Sequence, residues 1–115
     1  MAYDEILAKR IEKLIAGKKA APVGQGFTRK EMFGGVGYMY NGNMCVGVHK
    51  NDLIIRYDPK LTSEINSDKN VKVFDITGRP MKGWSLVSNE GVKGNALDKW
   101  FELAFGFVKT LPQKK

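Results

Sequence analysis

The spacing of apolar residues divides the chain into helical ends and a strand-rich middle. Near the N-terminus, Leu7, Ile11 and Leu14 recur at intervals of four and three, which is one stripe of an α-helix over residues 4–16. From residue 27 to residue 57 the apolar period changes to two, which is typical of strands. The pattern therefore predicts one helix followed by three or four antiparallel strands.

Short polar turns separate the predicted strands. Asn41-Gly42 tolerates the positive φ angles of a tight type I′ hairpin. Asn51-Asp52 also has turn chemistry, and Asp58-Pro59 ends the last of these strands because proline lacks the N–H of a strand ladder. We therefore expect consecutive strands joined as hairpins.

The second half of the chain returns to helix and then strand. Residues 60–67 predict a short helix, residues 71–76 and 84–87 predict two further strands, and a loop around Pro80 joins them. A last helix is predicted from an N-cap at Asn95 to Pro112. These elements complete the order α-β-β-β-(β)-α-β-β-α.

The last helix is apolar around much of its circumference. Such a helix must be covered on more than one side, either by the sheet and the first helix or by another subunit. Gly106 is unfavourable inside a helix, and close packing against a neighbour would explain it. A homodimer is expected to form through this helix or through an edge strand of the sheet. On the helix the candidate dimer face consists of Trp100, Phe101, Phe105 and Phe107.

Hairpin-joined strands with helices at both ends predict an α+β fold. We expect two layers, in which N- and C-terminal helices cover one face of an antiparallel sheet of five to six strands. The length of 115 residues suits one core, so residues 1–115 are predicted to form a single domain.

Composition narrows the class of protein. With 43% hydrophobic and 27% charged residues the chain is typical of soluble globular proteins, and no apolar run approaches the ~20 residues that span a bilayer. The N-terminal segment is unlike a signal peptide, so a cytoplasmic location is expected.

The single cysteine, Cys45, and single histidine, His49, exclude an internal disulfide and a structural zinc site. We expect no metal, no membrane and no cofactor.

The glycine-rich segment EMFGGVGYMYNG at residues 31–42 raises the question of a phosphate-binding loop. A dinucleotide-binding fingerprint leads into a helix, whereas here a strand and a hairpin come next. No Gly-Lys-Ser/Thr sequence is present after the glycines either, which excludes a P-loop. Gly34 and Gly35 are therefore predicted to permit a bulge or sharp bend between two strands.

No residue set predicts catalysis, because no motif supplies a nucleophile, a base and an orienting group together. Cys45 lies inside a predicted strand and is expected to be a buried, inert thiol. His49 is expected at a strand end, facing solvent. The chain is therefore predicted not to be an enzyme.

A loop before the last strand is the best candidate for binding. It combines cations, glycines and an indole that could hold phosphate while stacking a base or a peptide ring. The alternative is structural, with Trp84 in the core and Pro80 stiffening a turn. The candidate residues of this loop and of the neighbouring strand are Arg56, Arg79, Pro80, Met81, Lys82 and Trp84.

The net charge of +7 favours approach to an acidic surface. A nucleic-acid-binding face would use the candidate loop together with Arg29 and Lys30. However, acidic residues are interspersed among the basic ones, and the longest basic runs are pairs. Nucleic acid is therefore a possible partner, and a protein partner or a second copy of the chain is the first expectation.

Several short motifs together resemble the N-terminal domain of the TfoX/Sxy family. The most specific is Met-Phe-Gly-Gly, and the resemblance covers nearly the whole chain. The motif residues are Met32, Phe33, Gly34, Gly35, Gly37, Asn41 and Gly42, with Met44, Asp52, Leu53, Arg56, the Gly78–Met81 segment, Gly83 and Trp84 further along the chain.

The resemblance implies a two-layer α+β domain with a secretion-chaperone-like arrangement, and a connection to regulators of natural competence in bacteria. Those regulators act with a cyclic-AMP receptor protein at promoters. No catalytic residues accompany the family. We expect a stand-alone N-terminal domain with a regulatory, protein-interaction role.

Overall fold

The computed structural model describes residues 3–16, 27–32, 35–40, 42–74 and 82–111. Within these ranges the chain forms three α-helices and six strands, in the predicted order. Their bounds are α1 Glu5–Ala16, β1 Phe27–Met32, β2 Gly35–Tyr40, β3 Asn43–His49, β4 Asp52–Arg56, α2 Thr62–Asn66, β5 Val71–Val73, β6 Trp84–Val87 and α3 Ala96–Val108. The predicted α+β class is confirmed.

The six strands form one antiparallel sheet in the order β1-β2-β3-β4-β6-β5. The first four strands are a meander of hairpins, as the period of two and the short turns predict. β6 pairs with β4, so the short strand β5 lies at the edge. β1 is the opposite edge of the sheet.

α1 begins at a capping aspartate. The Oδ1 atom of Asp4 accepts hydrogen bonds from the backbone N–H groups of Ile6 at 2.9 Å and Leu7 at 3.1 Å. These are two of the N–H groups that lack a partner within the helix. Leu7 and Ile11, one turn apart, are buried in the core. The helix predicted from their spacing is confirmed.

The turn between β2 and β3 has two residues, because Tyr40 pairs with Asn43. Gly42 has a φ of 85°, which glycine adopts without steric cost. This agrees with the hairpin predicted from the Asn-Gly dipeptide, although Asn41 itself lies outside the described residues.

The next turn differs from the prediction by one residue. His49 pairs with Asp52, so the turn consists of Lys50 and Asn51, and Asp52 belongs to β4. Lys50 adopts the left-handed conformation, with a φ of 55°. Its carbonyl oxygen accepts a 2.7 Å hydrogen bond from the N–H of Asp4. That contact joins the hairpin to the start of α1.

One face of the sheet carries the main core, where the three helices pack. The buried residues that the helices contribute are Leu7, Ala8, Ile11, Ile65, Leu97, Phe101, Ala104, Phe105 and Val108. From the sheet they meet alternate side chains such as Val46, Val48, Leu53 and Ile55. We call this the helix face.

The opposite face also holds a buried apolar cluster. Its members are Met44, Ile54, Phe74 and Leu86, with the partly buried Met39 and Trp84 against them. As a result, β3 is buried on both faces from residue 43 to residue 48, and its alternation of side chains does not separate buried from exposed residues. We call this the open face, since no described helix covers it.

The register between β2 and β3 shifts by one residue. Tyr38 pairs with Val46 but Met39 pairs with Met44, which leaves Cys45 between the two pairs. This irregularity is a bulge, and it turns the Cys45 side chain into the core of the helix face. A bulge or a sharp bend was predicted at Gly34 and Gly35, and the described bulge lies instead in the next hairpin, between β2 and β3.

α3 begins differently from the prediction. Asn95 precedes the helix, but its side chain makes no capping hydrogen bond. Its φ of −75° and ψ of −4° are already helical, whereas a capping residue needs an extended backbone to reach the next N–H groups. The predicted N-cap role of Asn95 is therefore wrong, although the helix itself is confirmed.

Candidate functional site

The Met-Phe-Gly-Gly motif joins β1 to β2. Met32 pairs with Gly35 across the two strands, so Phe33 and Gly34 occupy a two-residue connection and themselves lie outside the described residues. The motif leads into the strand Gly35–Tyr40 and not into a helix. The glycines are thus not placed before a helix N-terminus that could receive a pyrophosphate, and the predicted bend between strands agrees with this geometry.

Two motif glycines lie where strands approach closely. A β-carbon on Gly35 would overlap the carbonyl oxygen of Val48. Gly37 pairs with Gly47, and a β-carbon on Gly47 would lie 2.6 Å from the carbonyl oxygen of Val36. The close packing of backbone against backbone thus explains Gly35 of the motif and Gly47 opposite Gly37.

Two residues of the candidate loop and its neighbouring strand, Arg56 and Trp84, lie together on the open face. Arg56 and Trp84 are cross-strand neighbours, and the guanidinium lies 5.2 Å from the centre of the indole ring. Partial burial lowers the pKa of Arg56. Lys82 is exposed in the turn directly before β6. Arg79, Pro80 and Met81 lie outside the described residues.

The remaining basic candidates are elsewhere. Arg29 and Lys30 lie on the edge strand β1, three strands away from Arg56, which is about 14 Å across a sheet. Arg29 faces the helices, where it contacts the hydroxyl of Tyr3 and lies 3.6 Å from the carboxylate of Glu12. Arg29 and Arg56 therefore point to opposite faces of the sheet.

A tyrosine–carboxylate pair connects α1 to the sheet beside Arg29. The buried Tyr38 hydroxyl donates a 2.6 Å hydrogen bond to Oε2 of Glu12. Burial, together with this hydrogen bond, raises the pKa of Tyr38, and the hydrogen bond with Tyr38 raises the pKa of Arg29. These contacts give Arg29 a structural role in holding α1 on the sheet.

α3 carries two apolar stripes that point in different directions. The inner stripe faces the sheet and is buried; it consists of Leu97, Phe101, Ala104, Phe105 and Val108. The outer stripe remains partly exposed; it consists of Ala96, Trp100, Leu103 and Phe107. The four aromatic residues of the predicted dimer face are divided between the two stripes.

The two inner aromatics are core residues. Phe101 is 1% exposed and Phe105 is 6% exposed, and their rings stack with centres 6.0 Å apart. The ring of Tyr40 meets Phe105 edge-on at 5.0 Å. In this conformation Phe101 and Phe105 are not available to a partner, whereas Trp100 and Phe107 are accessible.

An open cleft of about 420 Å³ lies beside the first half of the outer stripe. Ala96, Lys99, Trp100 and Leu103 of α3 form one wall. The other walls come from the turn after α2 and the turn before α3, and they contribute Asp68, Asn70, Glu90 and Gly91. The indole Nε1 of Trp100 donates a 3.0 Å hydrogen bond to the carbonyl oxygen of Gly91, which fixes the ring in the cleft.

The cleft was not predicted from the sequence. The walls opposite α3 come from residues up to about thirty positions before the helix, and no local pattern indicates that they meet it. A signal for the outer stripe does exist: Ala96, Trp100, Leu103 and Phe107 have the spacing of four, three and four that marks one helical face.

Gly106 has no structural explanation within the described part of the domain. It is exposed, and a β-carbon built there would meet nothing within 4 Å. It lies at the edge of the outer stripe, about 60° around the helix from Leu103 and about 100° from Phe107. The neighbour expected at Gly106 is thus not part of the described chain.

Cys45 and His49 lie on β3, as predicted. Cys45 is buried, and burial raises its pKa to about 12, so that its thiol stays protonated at neutral pH. His49 is partly exposed at the end of the strand. Among the residues that the structure describes, no three His, Cys, Asp or Glu side chains are grouped so that they could hold a metal ion.

In the described ranges, no helix has the length and apolar character needed to cross a bilayer.

Comparison with known proteins agrees with the family resemblance of the sequence motifs. No curated protein and no solved structure matches the chain. The family model of the TfoX N-terminal domain matches residues 19–108, which include all six strands and α3. The chain therefore belongs to the TfoX N-terminal domain family.

Proposed function

We propose that this protein is a non-enzymatic regulatory domain that acts by binding another protein through the outer stripe of α3 and the cleft beside it. The observation that carries the proposal is the second apolar stripe of α3, which packs against the core on one side and reaches solvent on the other. A partly exposed tryptophan and phenylalanine beside a cleft are typical of the residues that dominate the energetics of protein interfaces.

The protonation of the most nucleophilic side chains supports a role without catalysis. Burial raises the pKa of Cys45 to about 12, and burial together with Glu12 raises the pKa of Tyr38. Both groups therefore keep their protons at neutral pH. A thiol nucleophile needs the opposite environment, with a cation or a helix N-terminus that lowers its pKa.

Binding of nucleic acid is the second candidate, and Arg56 is the observation that favours it. Its guanidinium lies over the Trp84 ring, and no carboxylate within the described residues pairs with it. A phosphate could bind Arg56, and the exposed Lys82 lies two positions before Trp84 in the chain. However, Arg29 does not extend this surface, because it faces the helices. Lys30, the next residue of the strand, points to the open face but lies three strands away from Arg56.

A binding assay with three probes separates the two candidates. Labelled protein is titrated with unlabelled protein, with purified cyclic-AMP receptor protein, and with DNA and RNA oligonucleotides at two salt concentrations. We expect binding to at least one protein probe, unchanged by moderate salt and lost in Trp100→Ala. Arg56→Ala is the matched control on the open face, and it should bind as the wild type does.

Two results would contradict the proposal. The first is binding only to nucleic acid, with an affinity that falls steeply with salt and is lost in Arg56→Ala. The second is the absence of Trp100-dependent binding to either protein probe.

A further inference from the structure

The two ends of the outer stripe have complementary shapes. At the N-terminal end, the small side chain of Ala96 forms part of the wall of the 420 Å³ cleft. At the C-terminal end, the ring of Phe107 is partly exposed. The two residues are eleven positions apart, which is about three helical turns or 16 Å, so they share one side of the helix.

We infer that the partner of this surface is a second copy of the same chain, with the two α3 helices packed antiparallel about a two-fold axis. The inference rests on the proposed function, since it names the partner of the same site. The axis passes between residues 101 and 102. Ala96 and Phe107 are equally distant from that point, as are Trp100 and Leu103.

The axis determines which side chains meet. Phe107 of each copy lies opposite Ala96 of the other and enters the cleft there. Trp100 of each copy lies opposite Leu103 of the other. The interface thus has four layers in which a larger residue meets a smaller one, and such alternation lets side chains interdigitate. Because the contact is the same in both directions, it closes as a dimer.

Gly106 is explained by the same arrangement. It lies beside Leu103 and Phe107, and it leaves open space where any other residue would project. A glycine at this place lets the backbone of a second helix approach closely. Without a neighbour it costs the helix about 1 kcal/mol relative to alanine.

One charge at each end of the stripe is also complementary. The cleft at the Ala96 end is lined by Asp68 and Glu90 and also by Lys99. Glu90 lies 3.1 Å from the ammonium group of Lys93, so Asp68 is the acid of the cleft that has no ion pair within the described residues. Next to the Phe107 end lies Lys109, whose Nζ atom is 5.7 Å from the ring centre of Phe105. The two-fold axis brings Lys109 of each helix to the end of the other helix where Asp68 lies. Exposed charges of this kind orient the encounter more than they add affinity.

The size of the surface predicts a weak dimer. A contact built on one helix and the rim of one cleft falls in the class below about 1,200 Å² of total buried area, which is typical of transient complexes. We expect a dissociation constant in the micromolar range. Sedimentation velocity on the full chain, from a few micromolar to a few hundred, measures it directly.

Ala96 and Phe107 form the first and last of the four layers, and exchanging these two residues tests the arrangement. Ala96→Phe places two phenylalanines opposite each other, and Phe107→Ala places two alanines there. Each single variant should weaken the dimer at least about tenfold. The double variant Ala96→Phe/Phe107→Ala restores one large and one small residue in each layer, so its affinity should return to within about threefold of the wild type. An equimolar mixture of the two single variants should form a heterodimer for the same reason.

A urea titration of each variant shows whether it is folded. A wild-type chain that stays monomeric at a few hundred micromolar overturns the inference, and so does a dimer whose double variant is no tighter than the single variants. The proposed function can survive that result, because Trp100-dependent binding to cyclic-AMP receptor protein would still support it. A dimer that tolerates Trp100→Ala also overturns the inference, and the proposed function fails with it only if cyclic-AMP receptor protein shows no Trp100-dependent binding either.

Discussion

The two stripes of α3 are similar in composition and opposite in environment. Both carry two aromatic residues, yet the inner stripe is buried under the sheet and the outer stripe reaches solvent beside a cleft. Trp100 and Phe101 are adjacent in the chain and about 100° apart around the helix. Apolar character alone therefore does not distinguish a residue that holds the fold together from one that binds a partner. The comparison can be tested at five positions.

The largest contrast is expected in the reactivity of Cys45, which lies in the core beneath the inner stripe. Burial raises its pKa from 9.0 to about 12, which reduces the thiolate fraction near pH 8 about a thousandfold. Iodoacetamide should therefore alkylate the folded protein far more slowly than the urea-unfolded protein. Equal rates would show that the core opens readily.

The same pKa difference predicts a pH dependence of stability. The folded state holds the proton of Cys45 more tightly than the unfolded state, so its contribution is complete below pH 9 and is lost as the pH rises towards 12. The free energy of unfolding of Cys45→Ala should fall less steeply than that of the wild type in this window. If the unfolding free energies of the two proteins fall equally with pH, the raised pKa of Cys45 is contradicted.

Truncation of one aromatic from each stripe gives the next contrast. Phe101→Ala removes a ring that is 1% exposed, and it should lower the free energy of unfolding by about 3–5 kcal/mol. Phe107→Ala, measured at a concentration where the chain is monomeric, should cost less than about 1.5 kcal/mol, because its ring is only partly buried. Urea denaturation monitored by far-UV circular dichroism measures both. Similar losses would mean that the outer stripe is part of the fold.

A smaller effect is expected where a glycine lies against backbone. Gly35→Ala places a methyl group on the carbonyl oxygen of Val48, and separating the two strands should cost about 1–3 kcal/mol. Thermal unfolding of the variant and of the wild type measures this loss of stability. An unchanged midpoint would show that β2 and β3 are not as close as described.

The smallest effect has the opposite sign. Gly106→Ala should stabilise the monomer by about 0.5–1 kcal/mol, because alanine favours helix and the added methyl group meets open space. The same substitution should weaken the dimer, which sedimentation would detect. If both monomer stability and dimer affinity rise, then no helix packs against Gly106.

Much of the fold could be predicted from the sequence because its signals are local. The apolar period defines α1 and α3, and the Asn-Gly dipeptide defines a hairpin. The burial of β3 on both faces could not be predicted, since it depends on Phe74 and Leu86 from distant parts of the chain. Similarly, the direction of Trp100 and Phe101 depends on which side of α3 meets the sheet. Asp68 and Glu90 reach the cleft only through the tertiary fold.

The placement of the two tryptophans gives the molecule a pair of independent optical reporters. Trp84 lies on the open face next to Arg56, and Trp100 lies in the cleft beyond the helix face. In a Trp84→Phe chain, all indole emission comes from the cleft, and in a Trp100→Phe chain it comes from the open face. A shift in the wavelength of maximum tryptophan emission on adding a ligand would then identify the occupied surface without a label.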